Sequence, residues 1–299
     1  MVVIKSEPDT VYGYKAMTAA LMLSGFIINR KKVHRLMNQW QLLHDPREKT
    51  QRPYVRYRRV NPTEPLTVME MDIKVQWVVS SQQYVYILTI IDCFTRNVLH
   101  LHVTHSIKKE QVIAAWQHVI IHYLQPYQML QKKLTIEVRN DNDSRFWAKQ
   151  VREYMNENHL NQLFTHPYTP EENGHIENFH AILGRSLSRK TFYTIFDLEQ
   201  HLNNFYHIYN HARLHGSLDH LSPVMFWNIW KDGLIESVDR KNKPMKHTLI
   251  VPHYQLSGNG SLSAASGNAK LTTFTPHIYQ KDNLSDFKGG KPVIKKIRF

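Results

Sequence analysis

From residue 66 to 104 hydrophobic and polar positions alternate with a period near two. TVMEMDIKVQWV, YVYILTIIDCF and VLHLHVT are rich in β-branched and aromatic residues and are separated by polar breaks at Ser80–Gln83 and Arg96–Asn97. That is the pattern of an antiparallel meander. From about Lys108 to Tyr127 the spacing turns helical, ending near Pro126. LTIEVRND (134–141) predicts a fourth strand, SRFWAKQVREYMNENHL (144–160) a helix and NQLFTHPY (161–168) a fifth short strand. Further helices are expected around 175–189, 197–211 and 222–230. Strands in a meander followed by alternating helices and strands predict an α/β fold, a mixed five-stranded sheet flanked by helices.

The two ends differ from this middle. Residues 12–43 read as two short helices around Gly25. Asn29 is placed to cap the second, whose Val33, Leu36, Met37 and Trp40 recur at offsets 0, 3, 4 and 7. Its other face holds Arg30, Lys31, Lys32, His34 and Arg35, which suits either DNA contact or a solvated basic face. The stretch around residues 44–65 combines prolines and basic residues with Tyr54 and Tyr57, fitting a backbone-tracking arm or a plain linker. Beyond about 235 the periodicity fails, apart from one short strand expected near HTLIVPHY (247–254), and 257–269 is small and polar. The expected units are a helix-turn-helix-like segment (1–45), a basic linker (46–64), a core (65–230) and a basic, weakly folded tail (231–299).

Composition narrows the function. The formal net charge is +13 over 299 residues, a surplus that favours a polyanionic partner, because neutralised phosphates release condensed counterions. Cys93 is the only cysteine, which excludes an intramolecular disulfide and a Cys-rich zinc module and reads as a small core residue. The 19 histidines show no convincing zinc spacing. With no long apolar run, no membrane association is expected, and the chain reads as intracellular.

Three carboxylates stand where such a sheet would gather them. Asp72 is out of phase with Met69, Met71, Ile73 and Val75 in the first strand, so it projects to the opposite face. Asp141 ends the fourth strand, out of phase with Leu134, Ile136 and Val138. Glu177 opens a helix beside the stripe Ile176, Phe179, Leu183 and Leu187. Clustered carboxylates repel one another unless cations lie between them. Hard divalent ions such as Mg²⁺ take such oxygen ligands, and two of them serve in-line phosphoryl displacement.

At these residues the chain resembles the Asp–Asp–Glu transposases of bacterial insertion sequences whose core is similar to retroviral integrase. Thirty-five residues separate Asp141 from Glu177, the spacing of that family. PYTPEENGHIENFHAIL (167–183) looks like its loop and helix around the third acid, YNHARLHGSLDHLSP (209–223) like its downstream signature, and IIDCFTR (90–96) like its second-strand motif. YGYKAMTAALMLSGFIINRKKVHRLM (12–37) is similar to the helix-turn-helix-like segment before the core. The resemblance implies a ribonuclease-H-like fold and catalysis by Asp72, Asp141 and Glu177, holding Mg²⁺ or Mn²⁺, two ions in all. It implies cleavage at transposon ends and attack of the 3′-hydroxyl on target DNA.

The expected partners are double-stranded DNA, other copies of the chain on that DNA and an upstream-encoded DNA-binding protein, in a bacterial, nucleoid-associated cytoplasmic setting. Arg30, Lys31, Lys32, Arg35, Arg185, Arg189, Arg213 and His215 are the candidate nucleic-acid contacts, with Lys190 beside them; the equal alternatives are core packing for Arg213 and His215 and a solvated basic face for Arg185, Arg189 and Lys190. Two positions depart from the family: Asp143 replaces the usual glycine and Asn140 the usual serine. Asp143 therefore reads as an extra acid, a rival ligand or a sign of a distorted loop. A catalytically impaired DNA binder is the alternative, and a nuclease acting on RNA–DNA hybrids a third reading. Asp92 is expected to be structural and Glu172 to face solvent.

Overall fold

The computed structural model describes residues 12–43, 60–132, 134–166, 169–240 and 243–256. Most of the expected linker, including Tyr54 and Tyr57, and the tail beyond 256 lie outside the described residues.

The meander forms as its alternation requires: β1 (Val68–Val78), β2 (Gln83–Asp92) and β3 (Val98–Thr104) pair antiparallel in sequence. β4 (Ile136–Asn140) joins the other side of β1 in parallel, and β5 (Leu160–Phe164) adds to β4 in parallel. The order is β3-β2-β1-β4-β5, a mixed five-stranded ribonuclease-H-like sheet. Parallel neighbours need crossover connections, and these supply the helices.

Helices cover both faces. The first two, α1 (Tyr14–Leu23) and α2 (Arg30–Gln39), form the N-terminal pair. α3 (Lys109–Val119) is continued by a π-helical turn, Ile120–Leu124. The single helix expected over 144–160 is two, α4 (Ser144–Trp147) and α5 (Lys149–Glu157), because Ala148 between them has an extended ψ of 132°. Met69, Met71, Leu88, Ile90, Ile136 and Val138 bury one face of the sheet against Trp116, Val119, Phe146, Val151 and Met155 of these helices. The opposite face receives α6 (Gly174–Leu187) and α7 (Ile195–His211) through Ile87, Ile91, Phe179, Leu183, Leu202 and Tyr206.

α8 (Pro223–Lys231) opens with Ser222 capping the Met225 N–H. The chain then forms a hairpin, β6 (Ile235–Arg240) and β7 (Lys243–Leu249), packed through Ile235 and Leu249 onto Phe94 and Phe226. Between 235 and 249 this corrects the expectation of a weakly folded tail, and the strand expected near 247–254 overlaps the end of β7. Only the first residue of β6 is buried, so its sequence carries almost no alternation to read.

At the other end Asn29 caps α2 as expected, its side chain accepting from the Lys31 N–H at 2.8 Å. Val33 and Met37 are buried, whereas Leu36 and Trp40 of the same stripe are exposed. Tyr12 ties this pair to the segment after α7: its hydroxyl donates to Ala212 O and accepts from Leu214 N. Among the described residues no helix is long and apolar enough to cross a membrane.

Candidate active site

The parallel register of β1 and β4 pairs Val68 with Glu137, Met69 with Val138 and Glu70 with Arg139. Continued by two residues, it brings Asp72 level with Asp141. Alternation then puts Glu70, Asp72 and Lys74 of β1 on the face covered by α6, away from Met69 and Met71. Glu137, Arg139 and Asp141 share that side, since Ile136 and Val138 point to the other.

Asp72 is partly buried. Its Oδ1 accepts from the Ile73 N–H at 2.7 Å and its Oδ2 lies 3.1 Å from Nδ1 of His180 on α6. Asp141 stands open at the end of its strand, and its Oδ1 accepts from the Asp143 N–H at 3.1 Å. Its pKa is raised, first by loss of solvent and then by the negative charges of Asp72 and Asp143, against lowering by that hydrogen bond and by Arg145. The two carboxylates thus feel each other's charge. A divalent cation relieves that repulsion, and an all-oxygen donor set fits a hard ion.

Glu177 is exposed in the first turn of α6, three residues before His180. Positions three apart are neighbours on a helix, so Glu177 flanks the side on which His180 meets Asp72. The carboxylates come from three separate elements, two strands and a helix, and the structure assembles these elements side by side.

Asp143 replaces the usual glycine without strain, since its φ of −62° is open to any residue. It caps α4 through the Arg145 N–H, and the Arg145 guanidinium holds its carboxyl below the usual range. Arg145 also lies 5.0 Å over the Tyr86 ring. An acid already engaged in this way is a poor rival ligand.

Two expectations are corrected. Glu172 does not face solvent: it is 2% exposed and accepts from the His166 N–H at 3.1 Å, with His166 Nδ1 2.9 Å from its other oxygen. A loop residue captured by its own loop leaves no periodic trace. His215, expected to contact DNA, is buried edge-on against Tyr209. Burial pushes its pKa down to about 3, with Arg213 and Arg96 adding to the effect. A neutral, enclosed imidazole packs the core and offers no charge to phosphate.

The remaining basic candidates are more accessible. Arg30, Lys31, Lys32, Arg35, Arg185, Arg189 and Lys190 are exposed and Arg213 is half-buried.

Within the segment 209–223, Asn210 serves packing. The Asn210 side chain accepts from Val98 N and donates to Val98 O, both at 2.9 Å, pinning α7 to β3. Asp92 is structural, as expected, receiving Leu66 N at 3.0 Å and the Thr95 N and hydroxyl.

Two residues beside the acids escaped the sequence reading. His180 reads as one more polar helix position. Glu70 lies in phase with Asp72, two residues earlier, and that phase was the available signal. It is fully buried, its Oε2 accepts from the Ile176 N–H at 2.7 Å, and burial raises its pKa to about 7. A β1 carboxylate thus caps the first turn of α6.

Two family models, both described as integrase core domain, match residues 62–170 and 158–223. The chain is also similar to an uncharacterized 39.2 kDa protein of insertion element IS476 from Xanthomonas euvesicatoria, with 22% identity over 217 residues. That match covers 72% of this chain and 60% of the relative, so the chain spans less than two thirds of the relative's length.

Among solved structures, a chain of the simian T-cell lymphotropic virus intasome in complex with PP2A regulatory subunit B56 gamma matches at 15% identity and a TM-score of 0.47. It covers 78% of this chain and 74% of that one. The catalytic domain of Mos1 mariner transposase matches at 14% identity and 0.43, covering 55% and 74%. The HTLV-2 integrase catalytic core in complex with magnesium matches at 14% identity and 0.39, covering 55% and 98%.

Proposed function

We propose, from the premise that this chain belongs to the integrase-core superfamily of insertion-element transposases, that it is a metal-dependent transposase. It cuts DNA at transposon ends and joins the freed 3′-hydroxyl to target DNA. The observation that carries this reading is the parallel register of β1 and β4, which continued past β4 brings Asp141 level with Asp72, with the helix that bears Glu177 packed on β1.

In this reading Asp72, Asp141 and Glu177 hold Mg²⁺ or Mn²⁺, with two ions expected. When bound, such ions activate an attacking oxygen and stabilise a leaving one. The chain's own groups position and orient. His180 fixes one oxygen of Asp72, and the Glu70 cap fixes the start of the helix bearing Glu177. No side-chain nucleophile is needed, so positioning and charge neutralisation carry the catalysis. The exposed cations of α2 and the end of α6 are the proposed contacts to double-stranded DNA. Acting on two ends calls for more than one copy on the DNA and leaves room for an upstream-encoded partner, in a bacterial cytoplasm near the nucleoid. Asp143 lends no weight to the impaired-binder alternative, because its backbone is unstrained and its charge is paired.

The test is a joining assay with labelled transposon ends, Mg²⁺ or Mn²⁺, and the wild type against Glu177→Gln. Joined products that vanish in the variant are expected. Metal-independent binding by both proteins, with no cutting even when an upstream partner is supplied, would favour the binder.

A further inference from the structure

Behind the acidic edge, side chains from three elements converge in the interior. Glu70 of β1, Cys93 just after β2 and His175 in the first turn of α6 each bring one donor atom within 4.8 Å of the other two. Glu70 and Cys93 are fully buried, and the His175 side chain is 20% exposed. One oxygen of Glu70 is used by the Ile176 N–H. The other, Oε1, is buried, with only the Cys93 thiol and His175 Nδ1, 3.8 Å away, as polar neighbours. An enclosed carboxylate with one backbone N–H and otherwise only a thiol and a more distant imidazole is poorly compensated, and it calls for a proton or a cation.

We propose that Glu70, Cys93 and His175 form a binding site for a borderline-soft divalent cation of the Zn²⁺ type, separate from the all-oxygen site of Asp72, Asp141 and Glu177. The donor set decides the class of ion. Thiolate and imidazole with one carboxylate suit Zn²⁺, whereas carboxylates alone suit Mg²⁺ and Mn²⁺. The size also fits. Zinc bonds of about 2.0–2.3 Å put tetrahedral donors about 3.3–3.8 Å apart. The Glu70–His175 separation of 3.8 Å is within a few tenths of an ångström of the about 3.3–3.5 Å an oxygen–nitrogen pair needs, and the sulfur, within 4.8 Å of both, has about 1.3 Å or less to close.

On binding, bonds form from the ion to Glu70 Oε1, His175 Nδ1 and Cys93 Sγ. The S–H bond of Cys93 breaks, as does the O–H bond of Glu70 where that carboxyl is protonated; the protons go to solvent, and no redox change occurs. Sequence spacing gives no sign of such a site because each ligand comes from a different element. Glu70 lies two residues before Asp72 and His175 two before Glu177. The ion therefore staples the strand carrying one proposed catalytic acid to the helix carrying another.

The test is Co²⁺ titration of the full chain, followed by displacement with Zn²⁺. Cys93 is the sole cysteine, so a thiolate-to-cobalt charge-transfer band reports on this site alone. The expected result is a band saturating at one equivalent, bleached by Zn²⁺ and absent in Cys93→Ser. His175→Ala, which leaves the core untouched, should lower Zn²⁺ affinity beyond the about 10–100-fold loss typical of outer-shell changes. Asp72→Asn should keep the band while losing strand joining, so failure of this site and failure of the transposase reading are distinguishable. Absence of the band in folded wild type, or equal Zn²⁺ affinity in wild type and His175→Ala, would overturn the proposal.

Discussion

The two faces of the central sheet divide the labour of the molecule. One face, with Met69, Met71, Leu88, Ile90 and Val138, meets α3, α4 and α5 through apolar side chains. The other places Glu70, Asp72 and Lys74 of β1 under α6, with Asp141 alongside. Residues one position apart on β1 therefore have unrelated tasks: Met71 takes the Trp116 indole N–H on its sulfur at 3.1 Å, and Asp72 takes His180. Burial on the first face stabilises the sheet, and that stability holds mutually repelling acids together on the second.

Substitutions can break this division in order of effect. The largest change should follow Asp141→Asn, with strand joining down by about 10³-fold or more and thermal stability held, since removal of one acid relieves repulsion. Joining rates alongside a melting curve check both halves. On the opposite face Met71→Ala should cost about 2–5 kcal/mol of stability through lost burial and a cavity, read from urea unfolding.

Glu70 gives a pH signature. Its folded pKa of about 7 lies above the ordinary 4.5, so the folded state binds its proton more tightly. The resulting stability is fully present below about 4.5 and is lost as pH rises through about 7, a span on the order of 3 kcal/mol. His215 acts in the opposite sense. Its pKa of about 3 lies below the ordinary 6.5, so it costs stability as pH falls from there. The difference between wild type and Glu70→Gln in urea midpoint against pH isolates the carboxyl, and a flat difference would contradict the assignment. The smallest effect belongs to the exposed cations: Arg185→Ala or Arg189→Ala should each reduce the salt dependence of DNA binding by about one unit of slope.

What was legible in the sequence follows the same division. Period-two alternation and the out-of-phase acids gave the strands of the sheet and the face of Asp72 and Asp141, because half-buried strands must alternate. The strand expected near 247–254 overlaps the end of β7, whereas β6 was unreadable for the converse reason, with one residue buried and the rest exposed. Glu172 and the DNA-contact reading of His215 were misjudged because each residue is enclosed where its loop folds back, beside His166 and Tyr209 respectively, and such loop contacts carry no periodicity. Glu70, Cys93 and His175 meet only once the strands and α6 are packed.

The most direct measurement compares strand joining by two neighbours on β1, Asp72→Asn and Met71→Leu, each normalised to its folded fraction. Joining should be abolished in Asp72→Asn at unchanged melting temperature and kept in Met71→Leu, whose volume is conserved. Joining by folded Asp72→Asn at the wild-type rate would contradict the assignment of this face to catalysis.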